Sequence, residues 1–124
     1  MGTDWLRQLA ETTNMDVDRT LDRFLNNEKL FLKFLLKFQK DQTFESLKKN
    51  IEAGDTQAAF TCAHTLKGVA GNLGFENLYR PLTTLTEDLR KGELDKAVEK
   101  FPELSENYKK TLVSLTQLEA SIKA

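Results

Sequence analysis

Leu78, Leu82, Leu85 and Leu89 follow one another at spacings of four, three and four. Only an α-helix gathers such a spacing into one apolar stripe, because residues three and four apart share a face. The pattern recurs in Ala59, Ala63, Leu66, Ala70 and Leu73, and again in Leu30, Phe31, Phe34, Leu35 and Phe38, continued by Phe44, Leu47 and Ile51. It returns in Leu94, Val98, Phe101, Leu104, Tyr108, Leu112, Leu115 and Ile122. No stretch shows the alternation of a half-buried strand, so the chain is expected to be all-α.

Punctuation residues divide it. Asp4 is a candidate cap for a short helix carrying Trp5, Leu6 and Leu9. Asp16 or Asn14 is suited to cap a second, with Val17, Leu21, Phe24 and Leu25 on one face, and Asn26-Asn27 breaks it. One long helix is then expected from about Glu28 to Ala53, with Lys29, Lys33, Lys37 and Lys40 opposite its apolar stripe. Gly54 is a natural C-terminal cap and Asp55 a natural N-cap for the next helix, which ends near Gly74. The following helix should start near Asn77, so that Pro81 stays close to its first turn, and Gly92 closes it. The last segment, Glu93 to Ala124, reads as helix that Pro102 must kink or restart. The expected architecture is an up-and-down four-helix bundle with additional short N-terminal helices. It forms a single domain over 1–124, with the bundle at about 28–122 and the extra helices at about 4–26.

Composition narrows the function. A net charge of −1 lacks the basic excess of a nucleic-acid-binding domain. No apolar run approaches the roughly 20 residues of a membrane span, so no membrane insertion is expected, and the N-terminus lacks a signal peptide's charged and apolar regions. The single cysteine, Cys62, excludes an internal disulfide; a reducing, cytoplasmic setting is the expectation, with Cys62 a small apolar residue. One histidine and one cysteine are too few for a structural zinc site, no metal site is expected, and no G-x-x-x-x-G-K-[ST] run is present.

The one histidine, His64, lies in Ala63-His64-Thr65-Leu66-Lys67-Gly68-Val69-Ala70-Gly71-Asn72-Leu73-Gly74. At about 100° per residue, the seam of this helix centres near 220° from His64, so the imidazole points away from the core. Lys67 falls about 60° to one side, Gly68 about 40° to the other and Gly71 about 20° off. Each mid-helix glycine is worse than alanine by roughly 1 kcal/mol, so two on one face suggest a surface cleared for close approach.

An exposed imidazole can act alone as a nucleophile. A free imidazole, with a pKa near 6.5, is largely neutral at pH 7 and keeps one ring nitrogen unprotonated. An attacked phosphoryl group would add negative charge, for which Lys67, one turn on, is a point-charge partner. On the neighbouring helix the positions just after the seam include Thr83, Thr86 and Arg90. Thr86 is placed to hydrogen-bond the imidazole, and Arg90 either adds positive charge or is simply solvated.

The run resembles the signature of the histidine-containing phosphotransfer (HPt) domains of multistep two-component phosphorelays, approximately A-H-x-L-K-G-x-[AS]-x-x-[LF]-G. The similarity of layout extends from the helix near Asp16 to the last helix. The resemblance implies a four-helix bundle whose His64 accepts a phosphoryl group from an aspartyl phosphate on one response-regulator receiver domain and donates it to an aspartate on another. It implies that Lys67 assists electrostatically and that Gly68 gives the receiver room; from their faces, Gly71, Thr86 and Arg90 are expected on the receiver-binding surface. Family members often carry a longer polar residue, such as glutamine, where Thr86 falls. No cofactor is expected, the divalent metal belonging to the receiver. The chain would be a carrier without ATP-dependent kinase activity, acting as a monomer, alone or within a hybrid sensor histidine kinase. Two alternatives stand beside this: the phosphoacceptor domain of a chemotaxis-type histidine kinase, and a receiver-binding adaptor bundle without chemistry.

Overall fold

The computed structural model describes residues 4–123, Asp4 by its backbone alone, and every element in it is a helix. In chain order they are α1 (Asp4–Thr13), α2 (Val17–Arg23), α3 (Glu28–Gln39), α4 (Thr43–Glu52), α5 (Thr56–Leu73), α6 (Glu76–Arg90) and α7 (Leu94–Lys123). Helices α4 to α7 pack in sequence, and α4 closes on α7 through Phe44, whose ring stacks on Tyr108 at 3.9 Å between centroids. Helix α3 lies against α5 and α7, α1 covers α7 and α6, and α2 sits on α5. This is a helical bundle with short helices added at the N-terminus.

The seams of α5 and α6 behave as their spacing predicts. Ala59, Ala63, Leu66, Ala70 and Leu73 are all buried, as are Leu78, Leu82, Leu85 and Leu89. Each buried leucine contributes about 1.5–3 kcal/mol from apolar transfer. Asp16 caps α2 by accepting from the Arg19 backbone N–H, and Asp55 caps α5 by accepting from that of Ala58. The cap expected at Asp4 concerns a side chain outside those described.

The long helix expected from Glu28 to Ala53 is instead two, α3 and α4, parted at Lys40-Asp41-Gln42. Helical geometry requires the break. From Phe38 to Phe44 an unbroken helix would turn about 240°, placing Phe44, Leu47 and Ile51 opposite the stripe of Phe31, Leu35 and Phe38. The break returns both stripes to the core, where all six residues are buried. The Asp41 carboxylate stabilises it by accepting the Thr43 backbone N–H at 2.7 Å. Phe34 lies at the rim of its stripe, 41 % exposed, against the ring of Phe24. Leu25, expected on the inner face of the second helix, is 84 % exposed, because α2 ends at Arg23 and Leu25 stands in a left-handed turn with φ +58°.

Two prolines sit inside helices. Pro81 is the sixth residue of α6 and, lacking an N–H, leaves the Asn77 carbonyl without its helical donor. The Asn107 side-chain amide from α7 supplies the bond at 2.8 Å. Asn77 in turn donates to the Thr111 hydroxyl at 2.9 Å, and that hydroxyl donates to the Asn107 carbonyl at 2.9 Å. Pro102 does not restart α7, which runs through it. The carbonyl it frees belongs to Val98, which is 49 % exposed and so open to water, rather than part of the seam as its spacing suggests. Ala97 takes the buried place in the first turn of α7.

Gly74 terminates α5 in the left-handed conformation, φ +78°. It is also a point of close approach. A Cβ there would meet the Thr20 hydroxyl and lie 2.8 Å from Met15 Cγ, so the N-terminal helices rest directly on this glycine. Next to it, the Arg23 guanidinium donates to the Gly71 carbonyl at 2.9 Å and the Asn72 carbonyl at 3.3 Å, covering the open C-terminal end of α5.

Candidate functional site

His64 is exposed on the outer face of α5. Helical side chains lean towards the N-terminus, so the imidazole lies over the preceding turn. There it stacks on Phe60, centroids 5.9 Å apart and planes inclined by 20°. Phe60 is itself half-buried, packed on the core and bordering a hollow lined by Leu89, Arg90 and Gly92. On the other side the surface is bare. A Cβ built at Gly68 meets nothing within 4 Å. The first atoms of any side chain at 68 would lean back towards His64, so the glycine keeps that approach open.

Gly71 differs from Gly68. A Cβ there would lie 3.1 Å from Tyr79 Cε1 and 3.2 Å from Cδ1, so its missing side chain makes room for a ring of α6. Lys67 reaches over that same ring, its ammonium nitrogen 5.9 Å from the centroid. Lys67, Gly68, Gly71, Tyr79, Glu76 and Arg23 line a shallow pocket of about 410 Å³ on the C-terminal side of His64.

Of the two neighbours expected from α6, one is buried and the other, beside the hollow at Phe60, is paired within its own helix. Thr86 is 5 % exposed, and its hydroxyl has no hydrogen-bond partner among the described residues. It is neither on a docking surface nor bonded to His64. The apolar stripe of α6 is wide enough to take Thr86 in beside Leu82, Leu85 and Leu89, and a threonine is too short to reach out of it. Arg90 is exposed but engaged with Glu87 on its own helix, its Nε 3.1 Å from both carboxylate oxygens. The Arg90 hydrogen bond holds the Glu87 carboxyl below its usual range, with smaller contributions from the charges of Arg90, Lys91 and Lys67. Two rings not among the expected site residues, Phe60 and Tyr79, are the side chains that lie against His64 and Lys67 respectively. Phe60, four residues before His64, was recoverable from the i, i+4 rule; Tyr79 belongs to the same row of α6 as Thr83 and Thr86, one turn earlier.

The site is thus a solvent-facing imidazole on a bundle helix, with a cation one turn away and no enclosing cleft around it among the described residues. The family model described as Hpt domain matches residues 36–122, and the chain belongs to that family. Neither a curated protein nor a solved structure matches the chain. Membership carries histidine phosphotransfer in two-component signalling, exchanged with receiver domains, as a carrier rather than a kinase. No described helix is long and apolar enough to cross a membrane.

Proposed function

We propose that this protein is a phosphorelay intermediate: His64 takes a phosphoryl group from the aspartyl phosphate of one receiver and yields it to an aspartate of another. The observation that supports this most is the pairing of an exposed imidazole with a Gly68 at which an added Cβ would meet nothing within 4 Å. The unprotonated ring nitrogen attacks phosphorus as the bond from phosphorus to the aspartate oxygen breaks. The carboxylate leaves with the electron pair, and the proton on the second ring nitrogen stays in place. Return to the next aspartate is the same step reversed, with the divalent cation and the acceptor carboxylate belonging to the receiver.

The carrier's own contribution is access and charge. Gly68 admits the receiver's phosphorylated edge, and the Lys67 ammonium offsets charge on the phosphoryl oxygens. Mixing the protein with a panel of phosphorylated receivers tests the proposal. Acid-labile, base-stable phosphate should appear on the chain and move on to a second receiver, and His64→Gln should abolish it. Label persisting in that variant, or label obtained only from an ATP-bound kinase and never from a receiver, overturns it.

A further inference from the structure

Lys67 meets an aromatic ring where a carboxylate partner would be usual. The ion pairs among the described residues engage Arg80, Arg90, Lys96, Lys100 and Lys123, and leave Lys67 out. Of the acids of α6 near it, Glu87 is occupied by Arg90, and Glu76, in the same pocket as Lys67, is paired with Arg80 at 3.7 Å. What lies under the ammonium is the face of Tyr79, and what lets Tyr79 lie there is the absence of a side chain at Gly71. Three residues thus form one stack: a bare helix turn, a ring set against it and a cation over the ring. Lys67 and Gly71 are four residues apart on α5, so a ring from α6 spans both.

We propose that Tyr79 is a positioning residue for Lys67, holding the ammonium beside the site before a phosphoryl group arrives. The inference rests on His64 being the phosphoacceptor. Lysine loses as much rotamer freedom on ordering as any side chain, and a lysine already laid across a ring has less left to lose when an anion forms beside it. A carboxylate partner would neutralise the charge that the phosphoryl oxygens need. An aromatic face holds the cation without cancelling it, so the ammonium can stay on the ring while its charge faces a dianion. Gly71 acts here through Tyr79, whereas Gly68 acts on the open side of His64.

The test compares Tyr79→Leu, which removes the ring, with Tyr79→Phe, which keeps it. Phosphoryl transfer to His64 is measured from a receiver and from phosphoramidate, a small donor that needs no docking. Tyr79→Leu should slow transfer about two- to fivefold, the factor that an exposed cation–π contact converts to, and Tyr79→Phe should restore it. In a Lys67→Ala background, Tyr79→Leu should have no further effect. Equal slowing with and without Lys67 overturns the proposal, because a general loss of packing would act in both. A second readout needs no phosphoryl donor. The Lys67 side-chain methylene protons should show a ring-current shift in NMR spectra that survives Tyr79→Phe and vanishes in Tyr79→Leu; an unchanged shift overturns the proposal. If no receiver labels His64, the relay reading fails and the NMR comparison still decides the role of Tyr79.

Discussion

Replacing Gly68 by alanine should make the protein more stable and less active. Gly68 is the thirteenth residue of the 18-residue α5, well inside the helix, and a Cβ there meets nothing within 4 Å. Alanine therefore gains the full interior preference over glycine, about 0.5–1 kcal/mol, with no steric deduction. For a chain of 124 residues this raises Tm by about 2–6 °C. Gly71→Ala is the internal control. The same propensity gain is opposed by a contact of 3.1 Å with the Tyr79 ring, so its net effect should be near zero or destabilising. Urea unfolding followed by circular dichroism measures both. Transfer from a phosphorylated receiver should fall for Gly68→Ala and fall further for Gly68→Gln, whose side chain extends over His64. Two results would refute the reasoning: a Gly68→Ala variant no more stable than the parent, or one that is stabilised and still transfers at the parent rate. The second would mean that the bare turn is not kept for access.

Burial, with lesser contributions from the charges of Asp41 and Glu45, pushes the Tyr108 hydroxyl up to about 12. The unfolded tyrosine ionises near the ordinary value of 10, so the stability that Tyr108 contributes is fully present below pH 10 and is lost as the pH rises towards about 12. Tyr108→Phe should flatten that stretch of an alkaline denaturation series, and an unchanged slope would show that another group sets it. Asn107→Ala should cost about 0.5–1.5 kcal/mol by stripping the donor from the half-buried Asn77 carbonyl behind Pro81. In a Pro81→Ala background the backbone N–H returns and the loss should shrink, which a double-mutant cycle of urea midpoints would reveal.

How much of this was legible beforehand follows from which interactions are local. The direction of His64 depends only on the register of its own helix, and the seam of Ala59, Ala63, Leu66, Ala70 and Leu73 fixes that register. The cleared face at Gly68 follows by the same rotation. The break at Lys40-Asp41-Gln42 is also written in the sequence, as two apolar stripes about 240° out of phase that no unbroken helix brings to one face; each stripe is regular by itself, and only their relative phase marks the break. Thr86 shows where periodicity runs out. The four-three seam of α6 marks the centre of the buried stripe but not its width, and width depends on how closely α5 and α7 approach. The partnership of Gly71, Lys67 and Tyr79 is likewise set by how two helices are placed against each other.

The three glycines that follow His64, two within its helix and one capping it, face three different surroundings: open space at 68, a ring of α6 at 71 and the N-terminal helices at 74. The last has a consequence for where this domain stops. The family match begins at residue 36, yet Met15 and Thr20 lie against Gly74, and Arg23 covers the end of the helix that carries His64. A bundle excised at the edge of the match would bare that helix end and lose the buried Phe31 and Leu35 of α3. Homology and folding thus draw different borders on this chain, and the folding border encloses the N-terminal helices as a wedge that holds the site's helix shut at its far end.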